Sequence, residues 1–525
     1  MNSDKGINYI KGKIIWVDDE IEHLRPHIIF LENIGYSITQ VTNAEDAISL
    51  IQKNKYDIML LDEMLSGMDG LTALNMIKDS NPSLPVIMIT KSEEESIMEQ
   101  AIGSKIDDYL TKPVNPSQIL SSCKKVLEKK KITGERLSRD YTSEFNKISQ
   151  ALSSSLSWEE WIQIYVKLIE WEVELDEHPG LGLRQTLLDQ KRECNIEFGK
   201  YVERNYLEWI NDGDGPILST DLVSEYLVPL IEQKKNTFFF IIDNLRLDQW
   251  LILENLLYPY FTIQRDYYYS IIPTATPYSR NAIFSGMFPS EISEHFPKYA
   301  PQESTDEHSQ NRYEEVLLKE QFKRLKIQLK PELKYLKLLD ARHTGNAYKN
   351  ITSYARLPLA AIVINFVDFL AHSRSDSEIL KEIAPDEAAY RSLTKSWFEH
   401  SVLLKMLKKI AKLGNTVILT SDHGSIRSMR GVKVLGDRET STNLRYKYGK
   451  SIKCDPKHAI IVNKPIDYKL PAKNINTNYL IAKEDFYFVY PTDYHHYLNY
   501  YKDSFQHGGV SMEEMILPMI KLESK

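Results

Sequence analysis

Apolar runs and segments with helical spacing alternate along the first part of the chain. The apolar runs include Lys13–Val17, Asp57–Leu61, Pro85–Ile89 and Asp108–Leu110. Alternation of this kind predicts a parallel sheet that is covered by helices. We therefore predict a doubly wound α/β domain over residues 1–129.

The pattern changes after Glu128, and residues 130–212 carry few strand signals. Apolar side chains recur there at the spacing of a helical face, at Trp158, Trp161, Ile162, Tyr165 and Ile169. Pro179-Gly180 and Asn211-Asp212-Gly213 mark turns. This middle segment is predicted to be a connector bundle of two or three helices.

Residues 213–525 alternate strand and helix patterns again, with apolar runs at Phe238–Ile242, Ile362–Val367 and Thr416–Thr420. This pattern predicts a second α/β domain. Between His423 and His507 lies an insertion of about eighty residues, which is too long for a simple loop. We predict that residues from about 425 to 505 form a cap over the site of this domain.

Composition limits the partners and the compartment. A chain of 525 residues is too long for one hydrophobic core. Its net charge of −8 argues against broad attraction to nucleic acid. The stretch Glu170–Glu177 is acidic, whereas a DNA-reading helix is basic, which disfavours a DNA-binding output module. The cysteines match no metal or redox spacing, and no apolar run approaches the ~18 residues of a membrane helix, so we expect a cytoplasmic protein without a transmembrane segment.

Polar side chains follow the apolar runs of the first domain, where its parallel strands end. They are an acidic pair, a lone carboxylate, a hydroxyl and a lysine: Asp18 and Asp19, Asp62, Thr90 and Lys112. Because ligands collect at the carboxyl ends of such strands, these groups predict a phosphate-handling site. The acidic pair would bind Mg²⁺, and Asp62 would accept the phosphoryl group. Thr90 and Lys112 would then contact the new phosphate.

These residues resemble the motifs of receiver domains in bacterial two-component response regulators. The motifs are Val17-Asp18-Asp19-Glu20, Leu61-Asp62-Glu63-Met64, Gly67-Met68-Asp69-Gly70 and Tyr109-Leu110-Thr111-Lys112-Pro113. The resemblance implies that a sensor histidine kinase phosphorylates Asp62. It also implies that the backbone carbonyl of Met64 joins Asp18, Asp19 and Asp62 around Mg²⁺. Thr90 and Tyr109 lie where the family has its switch residues.

Three aspartates, three histidines and a threonine form an ordered set along the second α/β domain. They are Asp243, Thr276, Asp368, His372, Asp422, His423 and His507. Asp368 and His372 are four residues apart where a strand gives way to a helix, so both can face one point. Mixed carboxylate and imidazole ligands suit Zn²⁺, and Mn²⁺ is also compatible. Two such ions about 4 Å apart can hold the attacking and leaving oxygens of a phosphoryl transfer, so the set predicts a two-metal hydrolase.

A hydroxyl nucleophile is expected at a sharp corner between a strand and a helix. The segment Ile271–Asn281 has this character, because proline and small residues precede a helical run. Thr274 and Thr276 are both candidates on this ground, and Arg280 and Asn281 are candidates for contact with the phosphate. Metal coordination would lower the pKa of the hydroxyl, and helix N-terminal amides would offer an anion site.

Residues 236–525 resemble the alkaline phosphatase superfamily and, within it, the PglZ branch. By this resemblance, Asp368, His372 and His507 hold one zinc ion. Asp243, Asp422 and His423, with Thr276, hold the other. Pro273-Thr274-Ala275-Thr276, followed by Ser285-Gly286-Met287-Phe288-Pro289, parallels the nucleophile motif of the superfamily's nucleotide phosphodiesterases. The resemblance favours Thr276 as the nucleophile and a diester substrate, with a phosphomonoesterase as the alternative.

The first part of the predicted cap is basic. It carries Arg427, Arg430, Lys433, Arg438, Arg445, Lys447, Lys450 and Lys453, with Tyr446 and Tyr448 between them. Charges and rings in this order would hold a phosphodiester strand by backbone contact and base stacking. The alternative is that these residues form a solvated basic surface that binds no ligand.

The order of receiver, helical connector and PglZ-type domain resembles the response regulators of the type IX secretion system in Bacteroidetes. This resemblance implies control of protein secretion, phosphorylation-dependent homodimerisation, and a secretion-system or sigma-factor partner. The leading interpretation is a phosphorylation-regulated, two-zinc phosphodiesterase that acts on nucleotides or oligonucleotides. A non-catalytic signalling adaptor with structural metals is the interpretation from a different class.

Overall fold

The computed structural model describes residues 11–81, 83–91, 106–299, 311–338, 341–436, 443–472 and 474–525. The chain divides into two compact units. The first comprises Met1–Phe145 and Glu177–Leu183, and the second comprises Asn146–Asp176 and Arg184–Lys525. Every described helix is too short or too polar to span a lipid bilayer.

The first unit is built on a parallel sheet. Its strands are β1 Gly12–Val17, β2 Tyr36–Val41, β3 Ile58–Asp62, β4 Val86–Thr90 and β5 Asp108–Thr111, in the order β2-β1-β3-β4-β5. The described helices up to residue 151 are Arg25–Ile34, Ala44–Lys53, Gly70–Ser80 and Pro116–Ala151, with a 3₁₀ turn at Ile21–Leu24. Alternate strand residues enter separate apolar clusters on the two faces, such as Ile15 on one face and Ile14 on the other. This confirms the doubly wound α/β prediction.

The middle of the chain is helical, as predicted. Pro116–Ala151 is one continuous helix of 36 residues. Trp158–Glu177 and Arg184–Asp212 follow it, with a 3₁₀ turn at Pro179–Leu181 between them. The buried face of Trp158–Glu177 includes Trp161, Tyr165 and Ile169, which recur with helical spacing. The boundary predicted at residue 129 falls inside the helix Pro116–Ala151.

A mixed sheet forms the centre of the second unit. Its strands are β6 Thr237–Ile242, β7 Phe261–Tyr269, β8 Lys334–Leu338, β9 Leu359–Ile364, β10 Thr416–Thr420 and β18 Ile516–Ser524, in the order β7-β18-β10-β6-β9-β8. Strands β8, β9, β6 and β10 are parallel, and β18 is antiparallel to both of its neighbours. β6 is buried along its whole length. Burial on both faces is the reason that it reads as a continuous apolar run.

Helices flank this sheet. They are Val228–Glu232, Leu247–Leu253, Thr276–Ser285, Pro289–His295, Glu314–Arg324, Ala341–Tyr354, Phe366–Asp376, Glu378–Ile383, Glu387–His400, Val402–Lys412 and Met512–Met515. Single helical turns occur at Val223–Leu227, Glu254–Leu256 and Pro465–Tyr468. In Val402–Lys412 the buried residues include Leu403, Met406 and Leu407 at helical spacing, and the Ser401 side chain caps the first turn.

A smaller β region is inserted between β10 and β18. β11 Ile426–Ser428 pairs with β17 Ser504–Gln506 and closes the base of the insertion. Within it lie β12 Arg430–Lys433, β13 Tyr446–Lys450, β14 Ala459–Val462, β15 Thr477–Ala482, β16 Phe486–Val489 and the helix Tyr494–Tyr501. β12 pairs with β16, and β13, β15 and β14 form a three-stranded sheet. The insertion has its own apolar cluster, which includes Val434, Leu480 and Phe488.

A buried cluster of charges joins the connector helices to the C-terminal domain within the second unit. Lys191 Nζ, in the connector, lies 2.5 Å from Glu172, 3.4 Å from Glu513 and 3.7 Å from Glu387. Arg391 donates to the same Glu172 at 2.7 Å. Each charge depends on its partners, because an uncompensated buried charge is strongly destabilising.

Candidate metal centres

Three carboxylates and a lysine meet at the carboxyl edge of the first sheet. Ligand oxygens of Asp18, Asp19 and Asp62 lie within 4.8 Å of one another. Lys112 Nζ donates to Asp62 Oδ2 at 2.9 Å and to Asp18 Oδ2 at 3.1 Å. Asp18 directly follows β1, Asp62 ends β3, and Lys112 directly follows β5. The carboxyl ends of these parallel strands share one edge, which is why the residues converge.

The charge balance of this cluster suits a divalent cation. Three carboxylates face one ammonium group, and Asp18 and Asp62 are buried. Burial raises the pKa of Asp62 above its ordinary value, although Lys112 opposes the shift. A hard cation with oxygen ligands, such as Mg²⁺, would favour the ionised carboxylates. The carboxylates therefore fit the ion that the receiver motifs imply.

The other predicted receiver residues lie around the same edge. Thr90 ends β4, and its hydroxyl donates to Glu63, a contact that the sequence motifs did not indicate. Tyr109 lies on β5 and is 38% exposed. Met64 follows β3 by two residues and is also exposed. Both exposed side chains are accessible to a partner.

The first ligand cluster of the second unit contains Asp243, Asp422 and His423, whose ligand atoms lie within 4.8 Å of one another. Thr276 Oγ1 is 2.9 Å from His423 Nε2 and 3.5 Å from Asp243 Oδ1. Asp243 directly follows β6, and Asp422 follows the adjacent parallel strand β10 by two residues. Thr276 begins the helix Thr276–Ser285. Neighbouring strand ends and a helix start therefore bring these residues together.

Asp368, His372 and His507 form a second cluster, again with ligand atoms within 4.8 Å of one another. His372 Nε2 is 3.5 Å and His507 Nε2 is 3.7 Å from Asp368 Oδ1. Asp368 and His372 lie one turn apart on the helix Phe366–Asp376. Asp368 was expected directly after an apolar run that reached Val367. The strand instead ends at Ile364, so Asp368 lies in the first helical turn.

The two clusters are adjacent. The Asn244 side chain donates to Asp368 Oδ1 at 3.1 Å, and its backbone N–H donates to Asp422 Oδ1 at 3.4 Å. The His423 and His507 rings stack with centroids 4.2 Å apart. Asn244 has a φ of 63°, a left-handed conformation that asparagine tolerates. The sequence showed no signal for this bridging role, which depends on the fold.

Two buried polar atoms of this site make no hydrogen bond to the residues that the structure describes, although one of them, Asp422 Oδ2, lies 3.6 Å from Arg280 Nη1. Asp422 Oδ2 and His507 Nδ1 are buried and have no hydrogen-bond partner among the residues that the structure describes. Burial and the neighbouring Asp243 raise the pKa of Asp422 well above its ordinary value. Burial lowers the pKa of His507, which favours its neutral imidazole. His423 Nδ1 lies 3.1 Å from the Gly424 carbonyl, so the tautomer protonated there leaves Nε2 for a metal. These donors fit Zn²⁺.

Arg280 lies against a ligand carboxylate. Its Nη1 donates to Asp243 Oδ2 at 2.6 Å, and its Nε donates to Glu314 Oε1 at 2.6 Å. The amide of Asn281 donates to the Pro277 carbonyl at 2.9 Å. These contacts occupy Nε and Nη1 of Arg280 and the amide nitrogen of Asn281, and a contact of either residue with a phosphate stays a prediction. Arg280 neutralises and orients Asp243.

Thr274 and Thr276 have different partners. Thr274 Oγ1 donates to the Gly509 carbonyl at 2.7 Å and accepts from Gly508 N at 3.1 Å, which ties this corner to the His507 loop. Gly508 has a φ of 111°, and a Cβ there would lie 2.5 Å from the Tyr446 ring, so glycine is required. The Thr276 hydroxyl faces the ligands instead.

Glu514 braces the same loop. It accepts from Gly509 N at 2.8 Å and from the Ser511 hydroxyl at 2.8 Å, and it pairs with Arg445 at 2.5 Å. Glu514 and Arg445 are fully buried. This brace was not predicted, because the two charges are far apart in the chain.

Three arginines of the cap pair with carboxylates. Arg427 pairs with Asp503, Arg430 with Glu484 and Asp485, and Arg445 with Glu514. Lys447 is buried, and burial lowers its pKa to about 7. Arg445 and Lys447 are buried and therefore do not form a surface for a phosphodiester strand, whereas Lys433, Lys450 and Lys453 are exposed. For the exposed residues the hypothesis stays a prediction. Arg438 lies outside the described residues.

A cavity of about 200 Å³ opens beside the second ligand cluster. It is lined by His372, Ser375, Asp376, Asn443, Leu444, Tyr446, Tyr501, Gln506 and His507. The His372 side chain is 45% exposed. A small substrate can therefore reach the ligands from solvent.

Family comparisons match three consecutive parts of the chain. Residues 14–124 match the response regulator receiver domain. Residues 131–210 match the PorX response regulator linker domain. Residues 222–522 match the BREX system PglZ alkaline phosphatase-like domain, which covers more than half of the chain.

Individual relatives match the receiver part. The transcriptional regulatory protein ResD of Bacillus subtilis is 33% identical over 117 residues, which is 22% of this chain and 48% of that protein. The regulatory protein VanR of Enterococcus faecium is 36% identical over 128 residues, which is 24% of this chain and 54% of that protein. The chain thus spans about half the length of these relatives. The crystal structure of a two-component response regulator from Clostridium difficile is 33% identical and has a TM-score of 0.22, with 22% of this chain and 97% of that chain covered.

Proposed function

This chain belongs to the PglZ family of alkaline phosphatase-like proteins, and we propose that it is a response regulator with an enzymatic output. A sensor histidine kinase phosphorylates the receiver on Asp62. The C-terminal domain is a two-zinc phosphodiesterase that cleaves nucleotide or oligonucleotide diesters. Phosphorylation controls this output through receiver-mediated dimerisation. The PorX-type linker supports a role in type IX protein secretion, with a secretion-system or sigma-factor partner.

The receiver chemistry is assigned to the cluster at the carboxyl edge of the first sheet. An Asp62 oxygen forms the new bond to phosphorus while the bond to the kinase donor breaks. Mg²⁺ held by Asp18, Asp19, Asp62 and the Met64 carbonyl would neutralise the phosphoryl oxygens. Lys112 Nζ, 2.9 Å from Asp62 Oδ2, is placed to pair with the phosphate. Thr90 and Tyr109 are the switch residues that respond to it.

The hydrolytic chemistry is assigned to Thr276. Asp368, His372 and His507 would hold one zinc ion, and Asp243, Asp422 and His423 with Thr276 the other. Bound zinc would lower the pKa of the Thr276 hydroxyl and stabilise charge on the transferring group. Thr276 Oγ1 attacks phosphorus as the alcohol leaves. Water then hydrolyses the phosphothreonine and restores the hydroxyl. At the start of the helix Thr276–Ser285, Pro277 has no N–H, and the N–H groups of Tyr278 and Ser279 donate to the Ala275 carbonyl, so the Thr276 N–H is the backbone donor proposed for a phosphate oxygen.

The observation that carries this proposal is the pair of adjacent three-ligand clusters, one of which faces the Thr276 hydroxyl. Thr276 Oγ1 lies 2.9 Å from His423 Nε2, and buried Asp422 Oδ2 and His507 Nδ1 lack a described hydrogen-bond partner. Structural zinc sites are closed, whereas catalytic sites keep an open position. His372 is 45% exposed and borders a cavity. This favours an enzyme over an adaptor with structural metals.

The first test is hydrolysis of bis-p-nitrophenyl phosphate and a short oligonucleotide by zinc-loaded protein. We expect Thr276→Ala to abolish turnover while metal analysis still finds both ions. Thr276→Ser keeps a hydroxyl at the same place and should retain turnover. Thr274→Val removes the other candidate hydroxyl, and its turnover is compared per bound zinc ion, because Thr274 also ties this corner to the His507 loop.

The outcomes separate the alternatives. Full diesterase activity in Thr276→Ala with both metals bound would refute the assigned nucleophile. Faster hydrolysis of p-nitrophenyl phosphate than of the diester would identify a phosphomonoesterase. No turnover by the metal-loaded wild-type protein would identify an adaptor.

The receiver proposal has its own test. With acetyl phosphate and Mg²⁺, the wild-type chain should be labelled and Asp62→Asn should not. Asp57→Asn is a suitable control, because Asp57 precedes β3 at the opposite end of that strand. Labelling of Asp62→Asn would contradict the assignment. Beryllofluoride should then change the diesterase rate and, by light scattering, the oligomeric state.

A further inference from the structure

The cap helix Tyr494–Tyr501 displays many rings. It contains Tyr494, His495, His496, Tyr497, Tyr500 and Tyr501 within eight residues. Tyr497 and Tyr500 are 39% and 44% exposed. Large apolar rings grouped on a surface mark binding sites, since isolated exposed rings are the ordinary case. This helix is therefore a candidate binding element.

The rings form an ordered array. Tyr497 and Tyr501 stack one turn apart, with centroids 5.8 Å apart and an angle of 13° between the rings. The Tyr500 ring meets the Tyr501 ring edge-on at 5.0 Å. We call Tyr497, Tyr500 and Tyr501 the tyrosine platform. Rings that are already held in place lose little conformational freedom when a ligand binds.

The tyrosine platform borders the pocket of the proposed active site. Tyr501 lines the cavity of about 200 Å³ together with His372 and His507. Tyr500 donates from its hydroxyl to Asp376 Oδ1 at 3.3 Å. Asp376 ends the helix that carries Asp368 and His372. A substrate with its phosphate at the ligands therefore has a neighbouring group beside the Tyr501 ring.

Among the described residues, the lining of this pocket contains no lysine or arginine, which disfavours recognition of a phosphate backbone there. The cap arginines Arg427, Arg430 and Arg445 are paired with carboxylates. Asp376 adds an acidic side chain to the pocket lining. Flat uncharged rings, in contrast, bind the faces of nucleobases, whatever their sequence. The side of the pocket formed by Tyr501 is therefore suited to bind the face of a nucleobase.

We propose that the tyrosine platform is a base-binding subsite that selects diesters with a nucleobase next to the scissile phosphate. The proposal rests on the diesterase function above and narrows its substrates to short single-stranded oligonucleotides and dinucleotides that carry a base beside the scissile phosphate. Tyr501 contacts the base, and Tyr497 and Tyr500 position the Tyr501 ring. Stacking supplies the selectivity that the neutralised arginines do not.

The base-binding subsite is tested with two trinucleotides of equal charge. One carries all three bases, and the other has an abasic site at each nucleotide. For zinc-loaded protein, Tyr501→Ala should raise KM for the base-bearing substrate by about 5- to 150-fold, equivalent to about 1–3 kcal/mol for one stacked base. The KM for the abasic substrate and both kcat values should stay unchanged. Tyr501→Phe keeps the ring and should restore the wild-type KM. His495→Ala removes an exposed ring outside the platform from the same helix and is the matched control.

Binding measurements separate this proposal from the diesterase proposal. Calorimetry on the Thr276→Ala protein gives Kd for both trinucleotides whether or not turnover occurs. A preference for the base-bearing trinucleotide that is independent of salt, and that Tyr501→Ala removes, supports the subsite. Equal affinity for the two trinucleotides, or a preference that survives Tyr501→Ala, overturns it. Absence of turnover by metal-loaded wild-type protein overturns the diesterase proposal instead.

Discussion

Replacing Lys191 with methionine should destabilise the second unit far more than a substitution of a surface lysine does. Lys191 Nζ lies 2.5 Å from Glu172, 3.4 Å from Glu513 and 3.7 Å from Glu387. Its side chain is only 7% exposed. Methionine keeps a long side chain but removes the charge that the three carboxylates share.

The magnitude follows from burial and from the size of the unit. Removing one partner of a buried ion pair costs about 3–5 kcal/mol, because the remaining charge stays buried. The second unit has about 370 residues, so its unfolding entropy is about 0.8 kcal/mol/K at about 2.1 cal/mol/K per residue. The ratio of these quantities predicts that the thermal midpoint falls by about 4–6 °C.

Differential scanning calorimetry of the full chain measures this shift. Zinc addition identifies the transition of the second unit, because a ligand raises the midpoint of the unit that binds it. Lys200→Met is the matched control on the same helix, since Lys200 is 55% exposed and pairs with Glu197 at 2.7 Å. Exposed pairs contribute about 0–1 kcal/mol, which corresponds to a shift of about 1 °C or less. Equal shifts in the two variants would refute the reasoning.

Two further predictions concern Glu514 and Lys447. Glu514→Gln should lower zinc affinity about 10- to 100-fold, because Glu514 holds the His507 loop through Gly509 and Arg445. Competition with a fluorescent chelator measures this, and unchanged affinity would contradict the bracing role. Lys447→Met should raise the thermal midpoint most below pH 7 and progressively less towards pH 10. Burial lowers the pKa of Lys447 to about 7, so below that pH the folded state carries a cost of charging that the unfolded chain does not. A shift independent of pH, in scans from pH 6 to 10, would exclude this cause.

The fold class was predictable because its main signal is local. Each central parallel strand is buried on both faces and therefore reads as a short apolar run, as β6 does. The same runs located the site, since Asp62 ends β3 and Asp243 directly follows β6. The boundary predicted at residue 129 lies within the continuous helix Pro116–Ala151, between the receiver match, which ends at residue 124, and the linker match, which begins at residue 131.

Individual contacts in the site were less predictable. Spacing left Thr274 and Thr276 as alternatives, and only the resemblance to known phosphodiesterases favoured Thr276. The structure shows that Thr274 bonds to Gly508 and Gly509, whereas Thr276 faces His423. The role of Arg280 was also hidden, because its partner Asp243 is 37 residues away in the chain.

The sequence by itself determined the two α/β domains, the helical connector and the set of donor side chains at the strand ends. Those features depend on periodicity and on residue type, which neighbours in the chain already express. Only the tertiary structure decided which charges neutralise each other and which rings wall the pocket. Arg445 loses its role in a basic surface because Glu514, 69 residues later, folds onto it. Tyr501 and His372 line the same cavity although they are far apart in the chain, so a local sequence pattern could not predict that they would be neighbours.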